Sequence, residues 1–216
     1  MAILRFGSGV VLLALLLFIP AGTVNYWQAW LYFGILFIPM ILVLIYLLKN
    51  DPALLQRRLK TNEKQTRQIL IVILSLPFYL GSYLLAGFDY RYQWSSIPWQ
   101  VIVLTDVLIV AGYYLFFLTL KANSYASRII EVADEQKLID TGPYAYVRHP
   151  MYTGLLLIYV LSPIALGSWW GITASIFLPV IIILRIFNEE TLLEKELSGY
   201  SEYMQRTPYR LVPYLW

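Results

Sequence analysis

Residues 141–152 read TGPYAYVRHPMY and form a polar, aromatic segment between long apolar stretches. The segment contains His149, the only histidine among 216 residues, beside Arg148 and beside Pro150, where the next apolar stretch begins. Ionisable residues are costly to bury in lipid and are typical of functional sites in membrane proteins. The segment therefore predicts a site where one membrane-spanning helix gives way to the next.

The composition predicts an integral membrane protein, because 59% of the residues are hydrophobic and only 13% are charged. The mean hydropathy of +0.64 points the same way. The chain has no cysteine and a single histidine, so disulfides and thiolate chemistry are excluded and no metal site is expected. The net charge is +3, and the basic residues lie in loops between apolar stretches, where they set the topology. No nucleic-acid partner is therefore expected.

The apolar pattern predicts an all-α, polytopic fold with about six transmembrane helices, since a helix of about 20 residues crosses a bilayer. The predicted spans are residues 4–24, 28–48, 68–88, 98–120, 151–166 and 169–187. The first could be mistaken for a signal peptide but lacks a cleavage pattern. The fifth is short and is joined to the sixth by Leu166-Gly167-Ser168, so the two are predicted to form a helical hairpin that need not cross fully. Residues 1–216 are treated as a single membrane domain, with the first four spans in residues 1–120.

Basic residues in the loop after the second span predict the orientation. This loop contains Lys49, Arg57, Arg58, Lys60, Lys64 and Arg67 against two acidic residues. Loops with an excess of lysine and arginine lie on the cytosolic side of a membrane. An even number of crossings then places both termini, residues 121–150 and the tail from residue 188 on the cytosolic side. The predicted location is the plasma or inner membrane in a bacterium, or the endoplasmic reticulum in a eukaryote.

The motif at 141–152 supports two interpretations. Gly142-Pro143 predicts a turn, and Pro150 suits the first position of a helix, whose free amides attract carboxylate or phosphate groups. The nearby aromatic rings could hold a ligand cation; they are Tyr144, Tyr146 and Tyr152. The alternative is an aromatic belt at the membrane surface with His149 as a helix cap.

The segment 185–204 continues the last span into the cytosol. Its helical phase places Leu193, Leu197, Tyr200 and Met204 on one apolar stripe, and stepping back from Leu193 leads to Glu189 and Glu190. Carboxylates on the inward side need a cation, a ligand or a water pocket. Arg185 lies one turn before Glu189, so a plain surface ion pair between them is the alternative. Gly199 predicts a break in this helix.

Several motifs occur in a fixed order: NSYASR at 123–128, QKLI at 136–139, GPY at 142–144, VRHPMY at 147–152, Glu189-Glu190, and YSEYM at 200–204. As a set they resemble the isoprenylcysteine carboxyl methyltransferase family and its phospholipid methyltransferase-like relatives. The resemblance covers residues 121–216 and implies that this part is the cofactor-binding catalytic half.

The resemblance implies S-adenosyl-L-methionine as the cofactor, bound in a cytosolic pocket closed by the loop and the C-terminal helix. A lipidic acceptor would enter from the bilayer, with membrane lipids and no obligate protein as further partners. The implied cofactor-binding residues are Gln136, Lys137, Leu138, Ile139, Tyr144, His149, Pro150, Met151, Tyr152 and Glu189. Gln136 stands where many relatives have histidine. Arg185 falls at the position of a substrate-orienting arginine.

The acceptor is expected to be the carboxylate of an isoprenylcysteine-like molecule, since Arg185 can grip a carboxylate and such an acceptor needs no base. The alternative is the amine of an ethanolamine phospholipid. An amine must lose a proton, and Glu190 is then the predicted proton acceptor.

Two other classes of protein are considered. An NADPH-dependent membrane reductase of the sterol or steroid type has a similar arginine-histidine turn and a tail like residues 208–213, but its turn is usually followed by different residues from Met151-Tyr152. A transporter or scaffold would place ionisable residues inside the spans, where Asp106 is the only clear case. Asp106 is predicted to be a polar contact between helices.

Overall fold

The computed structural model of the protein describes residues 2–60, 63, 65–133 and 136–216. Within these residues the secondary structure is helical, so the predicted all-α class is confirmed. The helices are α1 (Ala2–Ala21), α2 (Trp27–Asn50), α3 (Pro52–Leu59), α4 (Thr66–Tyr92), α5 (Trp99–Ala122), α6 (Pro150–Ala165), α7 (Ile172–Ser175), α8 (Leu178–Glu196) and α9 (Tyr200–Arg206), with a 3-10 turn at Gly142–Ala145.

The predicted spans correspond to the apolar helices. Among the described residues, four segments are long and apolar enough to cross a membrane: Trp27–Asn50, Thr66–Tyr92, Trp99–Ala122 and Ile172–Glu196. Phe6–Ala21 and Pro150–Ala165 are shorter apolar helices. The last span runs past the predicted end at residue 187 and is interrupted between α7 and α8, where Pro179 lies in the first turn of α8. Lys64, counted for the orientation, lies outside the described residues.

At one end of the bundle, which we call the distal end, Asp89 connects two loops. Its carboxylate accepts hydrogen bonds from the Ser95 amide at 2.7 Å and from the Ser168 hydroxyl at 2.5 Å. The predicted turn between the fifth and sixth spans forms here, with Gly167 at a positive φ of 78°. The hydroxyl of Tyr26 donates to the carbonyl of Leu166. These contacts fix the turn of the predicted hairpin, in which α6 is followed by α7 and α8.

Helices α5 and α6 approach each other closely through two glycines. A Cβ atom added to Gly154 would lie 2.6 Å from the carbonyl oxygen of Gly112, and one added to Gly112 would lie 2.8 Å from the carbonyl of Gly154. Small residues allow helices in membranes to approach backbone to backbone. This contact fixes the position of the first turns of α6, which belong to the motif.

Asp106 does not form the predicted contact between helices. Its side chain in α5 is 5% exposed, and within the described residues neither carboxylate oxygen has a hydrogen-bond partner. The prediction was wrong, because no donor from the described residues reaches either oxygen. Polar contacts inside the bundle are made by other residues, such as the hydroxyls of Tyr32 and Tyr83, which are 3.0 Å apart.

At the opposite end, α3 packs on the chain that follows α5. Asp51 caps α3 by accepting from the Leu54 amide at 2.9 Å. Arg57 then donates to the carbonyl of Ser124, and Lys60 forms a 2.6 Å salt bridge with Glu131. The loop between the second and third spans therefore lies at the same end as the motif.

Candidate active site

A cavity opens at the end of the bundle that carries the motif. It contains about 860 Å³ of empty space, counting the open solvent at its mouth. The loop after α5, the start of α6, the end of α8 and α9 form its walls. The walls include all the predicted cofactor-binding residues, Gln136, Lys137, Leu138, Ile139, Tyr144, His149, Pro150, Met151, Tyr152 and Glu189, together with Arg185.

The turn at Gly142 carries Tyr144 into the cavity wall. Gly142 has a φ of 61°, a left-handed conformation that suits glycine, and a 3-10 turn follows. The hydroxyl of Tyr144 accepts from the Asn123 side chain at 3.0 Å, and its carbonyl accepts from the Tyr203 hydroxyl at 2.8 Å. Burial raises the pKa of Tyr144, so its phenol stays protonated. Tyr146, predicted beside it, is 71% exposed and does not line the cavity.

The start of α6 has the predicted structure, except for the side chain of His149. Pro150 occupies the first turn, and the carbonyl of His149 accepts from the Tyr152 amide at 3.0 Å. The side chain of His149 makes no capping hydrogen bond. Its Nε2 instead lies 3.1 Å from Oε1 of Glu190. His149 therefore occupies the N-cap position, but its ring nitrogen is used across the interface between α6 and α8 and not to cap the helix.

Glu190 is enclosed by basic side chains. Arg148 Nε donates to Oε1 at 2.7 Å, and Arg210 Nε donates to Oε2 at 2.8 Å. Glu190 is 6% exposed and is not among the residues that line the cavity. The placement of Glu190 as a proton acceptor beside the ligand thus has to be corrected, because both of its oxygens are held by cations that stabilise the ionised form.

The tail after α9 is attached to the motif through its backbone carbonyls. The amides of Arg148 and His149 donate to the carbonyls of Tyr209 and Arg210, each at 2.9 Å. The guanidinium of Arg148 also donates to the carbonyl of Thr207 at 2.9 Å. The sequence analysis did not predict this attachment, because any residue type can provide a backbone carbonyl as acceptor.

Tyr152 lies between the two charged residues that were predicted to have separate roles. Arg185 Nε donates to the Tyr152 hydroxyl at 2.8 Å, and that hydroxyl donates to Oε2 of Glu189 at 2.6 Å. Among the described residues Arg185 and Glu189 form no direct salt bridge. The alternative of a plain surface pair is therefore wrong, and the phenol links the two charges at the cavity wall.

The predicted apolar stripe forms the far wall. Leu197 and Tyr200 are buried there with Leu193 and Leu138 packed against them, and Gly199, at φ 81°, breaks the helix as predicted. The hydroxyl of Tyr200 is buried and has no hydrogen-bond partner within the described part of the chain. Burial, and then the charges of nearby carboxylates, raise the pKa of Tyr200, so its hydroxyl remains a donor.

The loop after α5 supplies wall residues that had no individual role in the sequence analysis. They are Asn123, Tyr125, Ala126, Ser127, Ile129, Ile130 and Glu131. The first four belong to the NSYASR motif, whose members were not assigned to a ligand, whereas residues 129–131 lie outside every motif.

Comparison with known proteins agrees with this architecture. Residues 100–199 match the model of the phospholipid methyltransferase family. The matched stretch starts in α5 and contains the whole motif together with Arg185, Glu189 and Glu190. It indicates a methyltransferase with a lipid-related substrate, and the predicted relationship to membrane methyltransferases of this kind is confirmed. A search of curated proteins found no match.

Proposed function

We propose that the protein transfers a methyl group from S-adenosyl-L-methionine to a lipidic acceptor, and that the acceptor group is the carboxylate of an isoprenylcysteine-like molecule. The observation that carries this proposal is the Tyr152 hydroxyl, which links Arg185 and Glu189 at the cavity wall. Glu189 can contact a cationic cofactor while Arg185 orients an anionic acceptor.

The chemistry of the wall fits the cofactor. S-adenosyl-L-methionine has an amino-acid end, a sulfonium, a ribose and an adenine, and when bound it supplies an electrophilic methyl group. Glu189 would face its cationic and hydroxyl groups, and Tyr144 and Tyr152 offer ring faces near a cation. The unpartnered Tyr200 hydroxyl requires an acceptor that a ligand would supply.

The role of the chain in such a transfer is positioning. Methyl transfer requires alignment of the acceptor with the methyl carbon and the leaving sulfur, so binding in the correct geometry supplies much of the rate. The guanidinium of Arg185 is fixed by hydrogen bonds to Tyr152 and to the carbonyl of Arg128, both at 2.8 Å. A guanidinium held in this way can bind the carboxylate of the acceptor and orient it toward the methyl group.

The amine of an ethanolamine phospholipid is the second candidate, and the family match favours it. An amine must lose a proton to a base before or during transfer. Glu190 is poorly suited, because Arg148, Arg210 and His149 occupy its oxygens. Glu189 lines the cavity and is the carboxylate that could serve, although it already accepts from Tyr152. The geometry therefore favours a carboxylate acceptor.

Calorimetry on the detergent-purified chain tests the cofactor. We expect saturable binding of S-adenosylhomocysteine and none of NADPH; the reverse result would favour the reductase and refute the proposal. Transfer of labelled methyl groups to N-acetyl-S-farnesylcysteine and to phosphatidylethanolamine then tests the acceptor. Labelling of phosphatidylethanolamine alone would replace the carboxylate acceptor by the amine.

A further inference from the structure

Residues Tyr209–Trp216, which we call the tail loop, pack along the apolar part of α8. Leu211 of the tail loop is buried in one cluster with Ile182 and Ile186 of α8. Both isoleucines lie well inside the segment Ile172–Glu196, which is long and apolar enough to cross a membrane. The tail loop therefore extends beside a membrane-spanning helix and reaches the level of its apolar side chains.

The tail loop also adjoins the surface of α8 that faces lipid. Val180, Leu184 and Phe187 share one side of this helix and are each about half exposed. The ring of Trp216 meets that of Phe187 edge-on, with the ring centres 6.0 Å apart. The guanidinium carbon of Arg210 lies 5.1 Å from the centre of each of these two rings. Trp216 thus continues the lipid-facing side of α8 into the tail loop.

Four consecutive residues of the tail loop, 212–215, are exposed. Tyr214 is 89% exposed and Leu215 is 79% exposed, and Val212 is also largely uncovered. Apolar side chains that are exposed side by side mark a contact with a membrane or with another protein. The position of this patch, next to the lipid-facing side of α8, favours the membrane.

The backbone of the tail loop suits a position at a membrane surface, because five of its amides are bonded within the loop. The amides of residues 210–212 donate to the carbonyl of Trp216 at 2.9–3.2 Å. The amides of Leu215 and Trp216 donate to the carbonyl of Val212, each at 3.2 Å. Unpaired backbone groups are what exclude irregular chain from lipid. A loop that pairs its own amides can enter the boundary between headgroups and acyl chains at little cost.

The same loop holds the candidate active site. The carbonyls of Tyr209 and Arg210 accept from two amides of the motif, each at 2.9 Å, and the carbonyl of Leu211 accepts from the Thr153 hydroxyl at 2.7 Å. Arg210 Nε also donates to Glu190 at 2.8 Å. A contact that fixes the tail loop therefore also fixes the motif.

We propose that the tail loop is an interfacial anchor, in which Tyr214 and Leu215 insert into the bilayer leaflet at the motif end of the bundle. The partner is the bilayer itself, because the loop continues the lipid-facing side of α8 and pairs its own amides. Aromatic side chains such as Tyr214 and Trp216 favour this boundary. Insertion keeps the tail loop on the motif, and this role is independent of the cofactor and of the methyl acceptor.

The test measures the depth of single labelled cysteines, which is practicable because the chain has no cysteine of its own. Leu215→Cys is compared with Val180→Cys on the lipid-facing side of α8 and with Ser201→Cys at an exposed position of α9. Each variant carries a nitrobenzoxadiazole probe in a phosphatidylcholine nanodisc that holds one chain. Doxyl-labelled phosphatidylcholine should quench the probes at 215 and 180 severalfold more strongly than the probe at 201, and iodide should show the reverse order.

Equal quenching by iodide at 215 and 201 would overturn the proposal. The patch would then lie in water in a single chain, as expected of a surface that binds a second copy or a soluble protein. Protection of the probe at 215 from both quenchers would overturn it as well, because protein and not lipid would cover the patch.

Leu215→Asp tests whether insertion holds the motif. A carboxylate disfavours the leaflet, so deuterium exchange in the peptide that carries Arg148 and His149 should become severalfold faster in nanodiscs. Leu215→Met keeps an apolar side chain and should leave exchange unchanged. Unchanged exchange of this peptide in Leu215→Asp would refute the role in holding the motif. Faster exchange spread equally over α5 would refute it too, since that pattern indicates a general loss of stability.

Discussion

The hydroxyl of Tyr152 accepts a hydrogen bond from Nε of Arg185 at 2.8 Å, and it donates one to Oε2 of Glu189 at 2.6 Å. The residue proposed to orient the acceptor and the residue proposed to contact the cofactor are thus held by one phenol. Their positions depend on each other although each has its own task in the proposed reaction.

Tyr152→Phe removes only this hydroxyl. Both charged neighbours then lose a hydrogen bond, and we expect kcat/KM for methyl transfer to fall by about tenfold or more, since charged hydrogen bonds contribute about 1.5–3 kcal/mol. Steady-state kinetics on the purified variant measures this effect. Tyr146→Phe, at an exposed position of the same motif, serves as the control, and equal rates for both variants would contradict the linking role.

Truncation of Glu189 and truncation of Arg185 should impair different functions of the protein. Glu189→Ala should weaken S-adenosylhomocysteine binding by about 1–3 kcal/mol, the cost of losing a charged hydrogen-bond partner. Arg185→Ala should leave this affinity nearly intact while transfer to a carboxylate acceptor collapses. Calorimetry and transfer assays on the same preparations separate the two effects. Loss of cofactor binding in a folded Arg185→Ala variant would show that the roles are assigned wrongly.

Tyr200→Phe tests the unpartnered hydroxyl in the cavity wall. Without ligand this variant should be at least as stable as the parent, because a buried donor without a partner is removed. With ligand it should bind S-adenosylhomocysteine about fivefold more weakly, the effect of one neutral hydrogen bond. Thermal unfolding with and without S-adenosylhomocysteine measures both. An unchanged ligand-induced stabilisation would mean that the hydroxyl does not contact the cofactor.

Glu190→Gln should act mainly on stability. It leaves Arg148 and Arg210 without their common anion, and we expect the free energy of unfolding to fall by about 3 kcal/mol, as for other broken buried ion pairs. Thermal unfolding in detergent is the measurement. Glu194→Gln, on the exposed face of α8, should have little effect. A stable Glu190→Gln variant that has lost only transfer to amines would restore Glu190 as a base.

The basic loop predicts that both termini lie in the cytosol. A reporter fused after Trp216 should therefore be active only when cytosolic activity is assayed. The contacts between α3 and residues 124–131 place this loop and the cavity at the same end of the bundle. Activity of the reporter on the other side of the membrane would reverse the orientation and separate the cavity from a cytosolic cofactor.

The sequence predicted the helices well because an apolar run of sufficient length has few alternatives in a membrane. Pro150 and Gly199 also marked a helix start and a helix break correctly. The cavity residues from Gln136 to Glu189 were found through their resemblance to a family, because a loop has no periodicity that reports burial.

The role of Glu190 could not be derived in the same way. Helical phase places Glu189 and Glu190 on neighbouring sides of α8 but does not reveal what faces each side. Arg148 and Arg210, which bind Glu190, come from the motif and from the tail. Contacts between such distant segments, like those from Arg58 to Ser127, appear only once the chain is folded.

The attachment of the tail to Arg148 and His149 also determines when the site can form during synthesis. The carbonyls of Thr207, Tyr209 and Arg210 hold the motif in place, yet the ribosome makes them after helices α1 to α9. The cavity therefore cannot be completed until this tail has been synthesised. A nascent chain halted before residue 207 would contain α1 to α9 but would lack the backbone partners that hold the motif.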